Sequence, residues 1–170
     1  MIVPMQQRHV AAIAALEAAN FSAPWDEAAI AAELENPLAL WLVAEGEPDQ
    51  NGAEETGSGA EKASKDDAGK AGVLGYVGSQ SCFEDADILN VCVAPAARRR
   101  GVAEALMREL EARLAPKSVE QITLEVRASN EPAIRLYEKL GYAQVGIRKG
   151  YYEKPREDAL ILQKELGIKR

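Results

Sequence analysis

The spacing of apolar residues divides the chain into alternating helices and strands. Apolar side chains recur at helical spacing in four stretches, which predicts helices over about 7–19, 26–35, 101–115 and 130–140. Continuous or alternating apolar runs predict strands over about 1–5, 38–45, 73–83, 86–93, 119–127, 142–148 and 158–166. This order predicts an α+β (mixed α/β) fold with about seven strands in a mixed, twisted sheet, about four flanking helices, and strand–helix–strand crossovers near 87–127 and 119–147.

Residues 46–72 interrupt this pattern. They contain six of the thirteen glycines, no large apolar residue, seven acids and three lysines, which gives a net charge of −4. A segment this polar cannot bury enough apolar surface to offset the entropy lost on ordering. We therefore expect a disordered, acidic, glycine-rich insertion within a hairpin of one domain that spans 1–170. Such an insertion costs little, because loop-closure entropy grows slowly with length.

The composition argues against several classes of protein. The net charge is −7, and −3 of it lies outside 46–72, so the predicted fold is mildly acidic and unlike a nucleic-acid-binding surface. The chain has one histidine, His9, and two cysteines, Cys82 and Cys92, without a Cys-x-x-Cys pair. A zinc site or a Ser-His-Asp triad is therefore not expected. No signal-peptide pattern or membrane-spanning run is present, so a cytoplasmic location with free cysteines is expected.

An arginine-rich turn joins a predicted strand to a predicted helix. It reads Arg98-x-x-Gly101-x-Ala103, and Arg99 and Arg100 add further positive charge. No Ser, Thr, Asp or Asn lies between Arg98 and Gly101 to cap the helix, so its first N–H groups can bind another acceptor. These groups and the helix dipole suit a phosphate or pyrophosphate, which the glycine would let approach the backbone. The alternative is a surface arginine cluster without a ligand.

Two longer stretches carry a resemblance to a known family. The run 91–106, VCVAPAARRRGVAEAL, resembles the acetyl-coenzyme A motif of the GNAT acetyltransferases. The run 123–142, TLEVRASNEPAIRLYEKLGY, resembles the RimI-type N-terminal acetyltransferases, which act on the eighteenth small-subunit ribosomal protein. The aromatic residue before Pro24-Trp25, and RKGYY at 148–152 followed by Glu157-Asp158-Ala159, resemble that family's substrate loop and terminal hairpin. The resemblance implies a GNAT fold, in which the parallel strands 87–93 and 119–127 splay to admit acetyl-CoA.

Glu125 is the candidate general base. It stands in a strand that otherwise reads Ile122, Leu124 and Val126. Burial would make its carboxylate a better base near neutral pH, and an amine must lose a proton before it attacks a thioester. From the strand alone, an ion pair with Arg127 on the same face is the alternative. The resemblance implies that Glu125 is the base.

Tyr137 is the candidate general acid. It lies on an apolar stripe of the predicted helix, one turn from Ile134 and Leu140, where a tyrosine is usually part of the core. The resemblance implies that its phenol protonates the departing coenzyme A thiolate. It also implies that Asn130, a predicted helix cap, forms a hydrogen bond to the cofactor.

The remaining cofactor contacts are also implied by the resemblance. Val91, Cys92 and Val93 would hold the pantetheine arm and polarise the thioester carbonyl through backbone amides at a strand bulge. The Cys92 thiol is expected to be buried and inert rather than a nucleophile. The pyrophosphate would bind the turn residues Arg98, Arg99, Arg100, Gly101, Val102, Ala103 and Glu104. We expect the Glu104 carboxylate to point outward, because it would otherwise repel the pyrophosphate.

The implied reaction is direct transfer of the acetyl group to a protein N-terminus, expected to be alanine. Phe21 and Trp25 from one loop, and Tyr151 and Tyr152 from the loop between the last two strands, would frame the peptide groove. Glu125 would act directly or through water. Two alternatives stay open: a GNAT enzyme that acetylates a small amine or a lysine side chain, and a catalytically silent coenzyme A-binding module. The oligomeric state is left open, with a slight preference for a monomer.

Overall fold

The computed structural model describes residues 1–46 and 72–167. In these ranges seven strands are formed: β1 Ile2–Pro4, β2 Ala39–Gly46, β3 Gly72–Cys82, β4 Asp85–Val93, β5 Gln121–Arg127, β6 Ala143–Tyr152 and β7 Glu157–Glu165. The α-helices are α1 Val10–Asn20, α2 Glu27–Glu33, α3 Val102–Leu114 and α4 Glu131–Lys139. These elements confirm the predicted fold class.

The predicted insertion spans 46–72, and all of it except its two end residues, 47–71, lies outside the described ranges. Its two boundary residues, Gly46 and Gly72, are paired with each other as the end of β2 and the start of β3. The two strands are antiparallel neighbours, as predicted for the hairpin.

All seven described strands join in one sheet, in the order β1-β2-β3-β4-β5-β7-β6. The first four strands are antiparallel neighbours, β4 and β5 are parallel, and β7 is antiparallel to both β5 and β6. The parallel pair is short: it runs only from Asp85↔Gln121 to Asp87↔Thr123. Beyond these positions the two strands diverge, as the splay implied by the family resemblance required.

Helices cover both faces of the sheet. On one face, α3 and α4 bury their apolar stripes against β5 and its neighbours, with Leu106, Leu110, Leu124, Val126 and Tyr137 in one core cluster. On the other face, α1 and α2 pack on the middle strands, with Ile13, Ile30, Trp41, Tyr76 and Cys92 in a second cluster. Residues in β5 alternate between buried and half-buried, which is the pattern expected when one face packs on a core.

The last hairpin differs from the prediction. Tyr151 and Tyr152 lie within β6, not in the loop after it. The Arg-Lys-Gly-Tyr-Tyr run looked like a loop, and Gly150 does adopt a left-handed φ of 61°. The strand nevertheless continues past an irregularity in the β6–β7 register, and Tyr152 pairs with Glu157. Tyrosine favours a half-buried strand position, so the strand can resume after the glycine.

The single histidine has a structural position. His9 is 2% exposed and its ring bonds to Glu45 in β2, with Nε2 and Oε1 2.7 Å apart. No group of three or more metal-ligating side chains occurs in the described ranges. Among the described residues, no helix is both long enough and apolar enough to span a membrane.

Candidate active site

A cleft of about 510 Å³ opens where β4 and β5 diverge. Its walls come from β4, β5, the α1–α2 loop and the β6–β7 hairpin. The cleft is lined by both candidate catalytic residues, two cofactor candidates and all four peptide candidates: Glu125, Tyr137, Val91, Asn130, Phe21, Trp25, Tyr151 and Tyr152. The other cofactor candidates, Cys92, Val93 and the turn from Arg98 to Glu104, lie outside its lining.

Glu125 projects from the sheet face that β5 turns away from the α3 core. Leu124 and Val126 are buried on the opposite face, so strand alternation leaves the carboxylate half-buried, with 23% of its side chain exposed. Its Oε1 lies 3.3 Å from Nε of Arg148, a residue of β6. The alternative of an ion pair with Arg127 is wrong, because the described contacts of that guanidinium lie elsewhere. The ion-pair partner of Glu125 is Arg148, which lies two strands away in the sheet. Sequence spacing gives no information about such a contact.

Tyr137 is at once a core residue and a residue of the cleft. It is 7% exposed and makes an edge-to-face contact with Tyr142, with ring centroids 5.9 Å apart. Burial, with the nearby Tyr152 phenol, raises the pKa of Tyr137 to about 12. The phenol is therefore protonated at neutral pH and can donate a proton. No described residue bonds to its hydroxyl.

Asn130 is positioned as the N-cap of α4. Its Oδ1 accepts a hydrogen bond from the backbone N–H of Ala133 at 3.3 Å, which satisfies one free donor of the first helical turn. The side-chain NH₂ has no acceptor among the described residues, and the residue lines the cleft. The cap therefore leaves the NH₂ as a donor that can reach a ligand.

The cleft edge of β4 contains a bulge. The register passes from Gly78↔Asn90 to Ser79↔Ile88, so Leu89 has no partner in β3. A bulge turns backbone groups away from the regular ladder. The bulge precedes Val91, as the family resemblance implied, and it lies where β4 has already lost its pairing with β5.

The turn before α3 has the backbone that an anion site needs. Gly101 adopts a left-handed φ of 74°, a conformation that favours glycine. A Cβ at this position would meet no atom within 4 Å, so the space around the backbone is open. No side chain caps α3 among the described residues. The N–H groups of its first turn can therefore donate hydrogen bonds to a phosphate oxygen.

The side chain of Arg98 is directed elsewhere. Its guanidinium donates to Oδ1 of Asn20 at 2.8 Å and to the carbonyl of Val93 at 3.3 Å. Arg98 therefore ties the end of α1 to the end of β4. Sequence reasoning placed this side chain on a pyrophosphate and had no signal for the contact with α1.

In the structure, Glu104 has two cationic partners and the Cys92 thiol is buried. Lys139 and Arg108 bond to the Glu104 carboxylate at 2.8 and 2.9 Å and hold its pKa below the usual range, so the charge is neutralised on the flank of α3. Burial, with the nearby Glu17 carboxylate, raises the pKa of the Cys92 thiol to about 11. A thiol that is protonated at neutral pH is a poor nucleophile.

Arg127 connects two walls of the cleft, a role that sequence reasoning missed. Its guanidinium lies 4.3 Å from the ring centroid of Tyr152. It donates to the carbonyls of Pro155 and Glu153 at 3.1 and 3.3 Å, and to Oγ of Ser22 at 3.3 Å. One side chain thus connects the α1–α2 loop with the β6–β7 hairpin. The sequence feature that could have indicated this role is the position of Arg127 on the same face of β5 as Glu125.

Replacing Arg127 with lysine is expected to weaken the connection between the α1–α2 loop and the β6–β7 hairpin. Lysine keeps the charge but cannot reach three acceptors in a planar arrangement. Loss of about one net hydrogen bond costs about 1 kcal/mol, which is roughly a fivefold rise in KM for a peptide substrate. Steady-state kinetics would measure it, with Arg135→Lys on the exposed face of α4 as the control. An unchanged KM in the Arg127 variant would contradict this role.

Comparisons with known proteins agree with this geometry. Residues 10–142 match the model of the Acetyltransferase (GNAT) family. A protein of Bacillus subtilis (strain 168), proposed to be a ribosomal protein bS18-alanine N-acetyltransferase, is 36% identical over 149 residues, which cover 86% of this chain and 83% of that protein. The ribosomal protein bS18-alanine N-acetyltransferase of Escherichia coli (strain K12) is 41% identical over 86 residues, which cover 49% of this chain and 58% of that protein.

Solved structures show the same fold. The crystal structure of the ribosomal-protein-S18-alanine N-acetyltransferase from Escherichia coli matches with a TM-score of 0.77 and 26% identity, over 100% of this chain and 96% of that chain. The family match spans most of the chain, and the bulge, the uncapped helix and the Asn130 amide fit the acetyl-CoA that this family uses. The chain therefore belongs to the GNAT acetyltransferase family and is an acetyl-CoA-dependent N-acetyltransferase.

Proposed function

We propose that this enzyme acetylates the N-terminal alanine of ribosomal protein bS18. The observation that carries the proposal is the cleft, which holds a carboxylate and a protonated phenol between a backbone-lined wall and an aromatic wall. The names of the relatives from Bacillus subtilis and Escherichia coli support the same substrate. The cytoplasmic location expected from the sequence belongs to this proposal, since ribosomal proteins are made there.

The acetyl donor would bind along β4 and the turn before α3. When bound, acetyl-CoA supplies an activated acetyl thioester. The N–H groups at the start of α3 would bind its pyrophosphate, and the Asn130 amide would donate to the cofactor. The backbone around Leu89 and Val91 would direct N–H groups at the thioester carbonyl and stabilise the negative charge that develops on its oxygen.

The peptide would enter between the α1–α2 loop and the β6–β7 hairpin. Phe21, Trp25, Tyr151 and Tyr152 form the walls there, and Arg127 holds the two sides together. Aromatic walls suit an extended peptide, because large rigid side chains provide contact area at a small entropic cost. The acidic balance of the chain, −7, is compatible with a basic substrate tail.

Proton transfer would use the two sides of the cleft. Glu125 takes a proton from the α-ammonium group, directly or through water, and the amine then attacks the acetyl carbonyl. As the C–S bond breaks, Tyr137 donates its phenolic proton to the departing thiolate, and the second proton that the nitrogen must lose restores the neutral phenol. Arg148 is 56% exposed and pairs with Glu125, so the ammonium can replace a guanidinium that returns to solvent. The carboxylate exchanges one cationic partner for another.

A panel of acceptors tests the proposed substrate. The enzyme is incubated with radiolabelled acetyl-CoA and one acceptor at a time: a peptide with the N-terminal sequence of bS18, the same peptide with a blocked α-amine, free lysine, and a polyamine. We expect label only in the peptide with the free α-amine. Label in the blocked peptide, lysine or polyamine would favour a lysine or small-amine acetyltransferase. Binding of acetyl-CoA without any transfer would favour a silent module.

A further inference from the structure

A buried carboxylate, Glu17, lies behind the wall of the cleft. It belongs to the second half of α1 and is 0% exposed. It lines neither the cleft nor the turn before α3. Because burial removes the hydration of a carboxylate, such a group persists only where hydrogen bonds replace the lost water.

Three donors from three elements converge on this carboxylate. Its Oε1 accepts from Nδ2 of Asn90 at 2.7 Å and from the Tyr76 hydroxyl. Its Oε2 accepts from the backbone N–H of Trp25 at 3.1 Å. Burial and the Glu17 carboxylate both raise the pKa of Tyr76, so its hydroxyl stays a donor. All three donors are neutral, and no described cation pairs with Glu17.

Two of these donors belong to opposite walls of the cleft. Trp25 lies in the α1–α2 loop, where the peptide is proposed to bind. Asn90 lies between the bulge residue Leu89 and Val91, on the stretch of β4 that lines the cleft and is proposed to bind the thioester. The Glu17 side chain thus joins the α1–α2 loop, where the peptide is proposed to bind, to the stretch of β4 where acetyl-CoA is proposed to bind.

We propose that Glu17 is a positioning residue for acetyl transfer: it sets the spacing between the α1–α2 loop and the bulge of β4. This inference rests on the proposed N-terminal acetyltransferase activity. A misplacement of reacting groups by about 1 Å can cost about 100-fold in rate. Loss of the link therefore lowers kcat, whereas the acetyl-CoA contacts at the start of α3 remain.

The variant Glu17→Gln tests this role at constant shape. Glutamine presents an NH₂ in place of one carboxylate oxygen, so at least one of the three donors then meets another donor. We expect kcat for an N-terminal alanine peptide to fall about 10- to 100-fold, with KM for acetyl-CoA within about twofold of the wild-type value. Steady-state kinetics with both substrates varied would separate the two parameters.

A reciprocal variant supplies the rescue. In E17Q/N90D the new amide can donate to the new carboxylate, so the bond is restored with donor and acceptor exchanged. We expect kcat to return to within about threefold of the wild-type value. If the double variant folds and is as slow as E17Q, the Glu17–Asn90 bond does not position the walls and the inference is wrong.

Glu45→Gln is the matched control. Glu45 also bonds α1 to the sheet, through the flanking Arg8 and His9, but none of these residues lines the cleft. We expect the melting temperature of the Glu45→Gln variant to fall, while its kcat stays within about twofold of the wild-type value. The same result for E17Q would show that Glu17 only stabilises the fold. If E17Q does not fold, Asn90→Ala decides, because a wild-type kcat in that variant also overturns the inference.

The two proposals fail in different ways. A wild-type enzyme that acetylates no N-terminal peptide contradicts the proposed function and, with it, this inference. If the wild-type enzyme is active and folded E17Q is equally active, only the positioning role of Glu17 is contradicted.

Discussion

Glu125→Gln is expected to lower kcat by about two to four orders of magnitude, the range typical for removal of a general base. Glutamine has nearly the same shape, so it preserves the strand and the packing of Leu124 and Val126 behind it. It cannot accept a proton from the ammonium group, however, and it removes the charge that pairs with Arg148. The loss should therefore fall on the chemical step.

The measurement is single-turnover acetylation of an N-terminal alanine peptide, together with calorimetric binding of coenzyme A. Binding should be unchanged, because Glu125 makes no part of the anion site before α3. Glu120→Gln is the control: it alters an exposed carboxylate just before the same strand and should keep full activity. A Glu125 variant within threefold of the wild-type kcat would remove this residue from the mechanism.

Tyr137→Phe is expected to lower kcat by about two to three orders of magnitude, because the departing thiolate loses its proton donor. Phenylalanine keeps the ring that packs in the α3 core and against Tyr142, so the fold should be retained. The pKa of Tyr137 is about 12, so the acid form is lost only as the pH rises through that value. The fold-loss in the variant should therefore be nearly constant between about pH 6 and pH 10.

Tyr142→Phe is the natural comparison. Its ring touches Tyr137, but its hydroxyl donates to Glu111 on α3, on the side away from the cleft. We expect a stability loss of about 1 kcal/mol, measured by denaturant unfolding, and nearly full activity. If both tyrosine variants lost activity equally, the hydroxyl of Tyr137 would have no special part in the reaction.

The local features of the site could be predicted from the sequence. Strand alternation placed Glu125 opposite the buried residues of β5, and the Gly101 turn after β4 has the left-handed conformation and uncapped helix that an anion site needs. The residues that act over longer distances could not be predicted. Arg148 of β6 lies close to Glu125 of β5 because both strands are neighbours of β7 in the sheet. This strand order cannot be read from the sequence.

Side chains that join elements were also missed. Arg98 was predicted to bind an anion and Arg127 was considered as an ion-pair partner, whereas the sequence did not single out Glu17. In the folded chain each connects the α1–α2 region to another element. These contacts depend on how α1 sits on the sheet, which follows from the packing of the second core cluster and not from any local motif.

The backbone-lined edge of β4 bears on how this chain can change during evolution. If main-chain N–H groups recognise the cofactor, the side chains from Val91 to Val93 are constrained by packing on each face of the sheet and not by contact with the ligand. Descendants could replace all three with other strand-forming residues and keep the same donor substrate. Proline is the substitution that selection would remove there, because it lacks the N–H group.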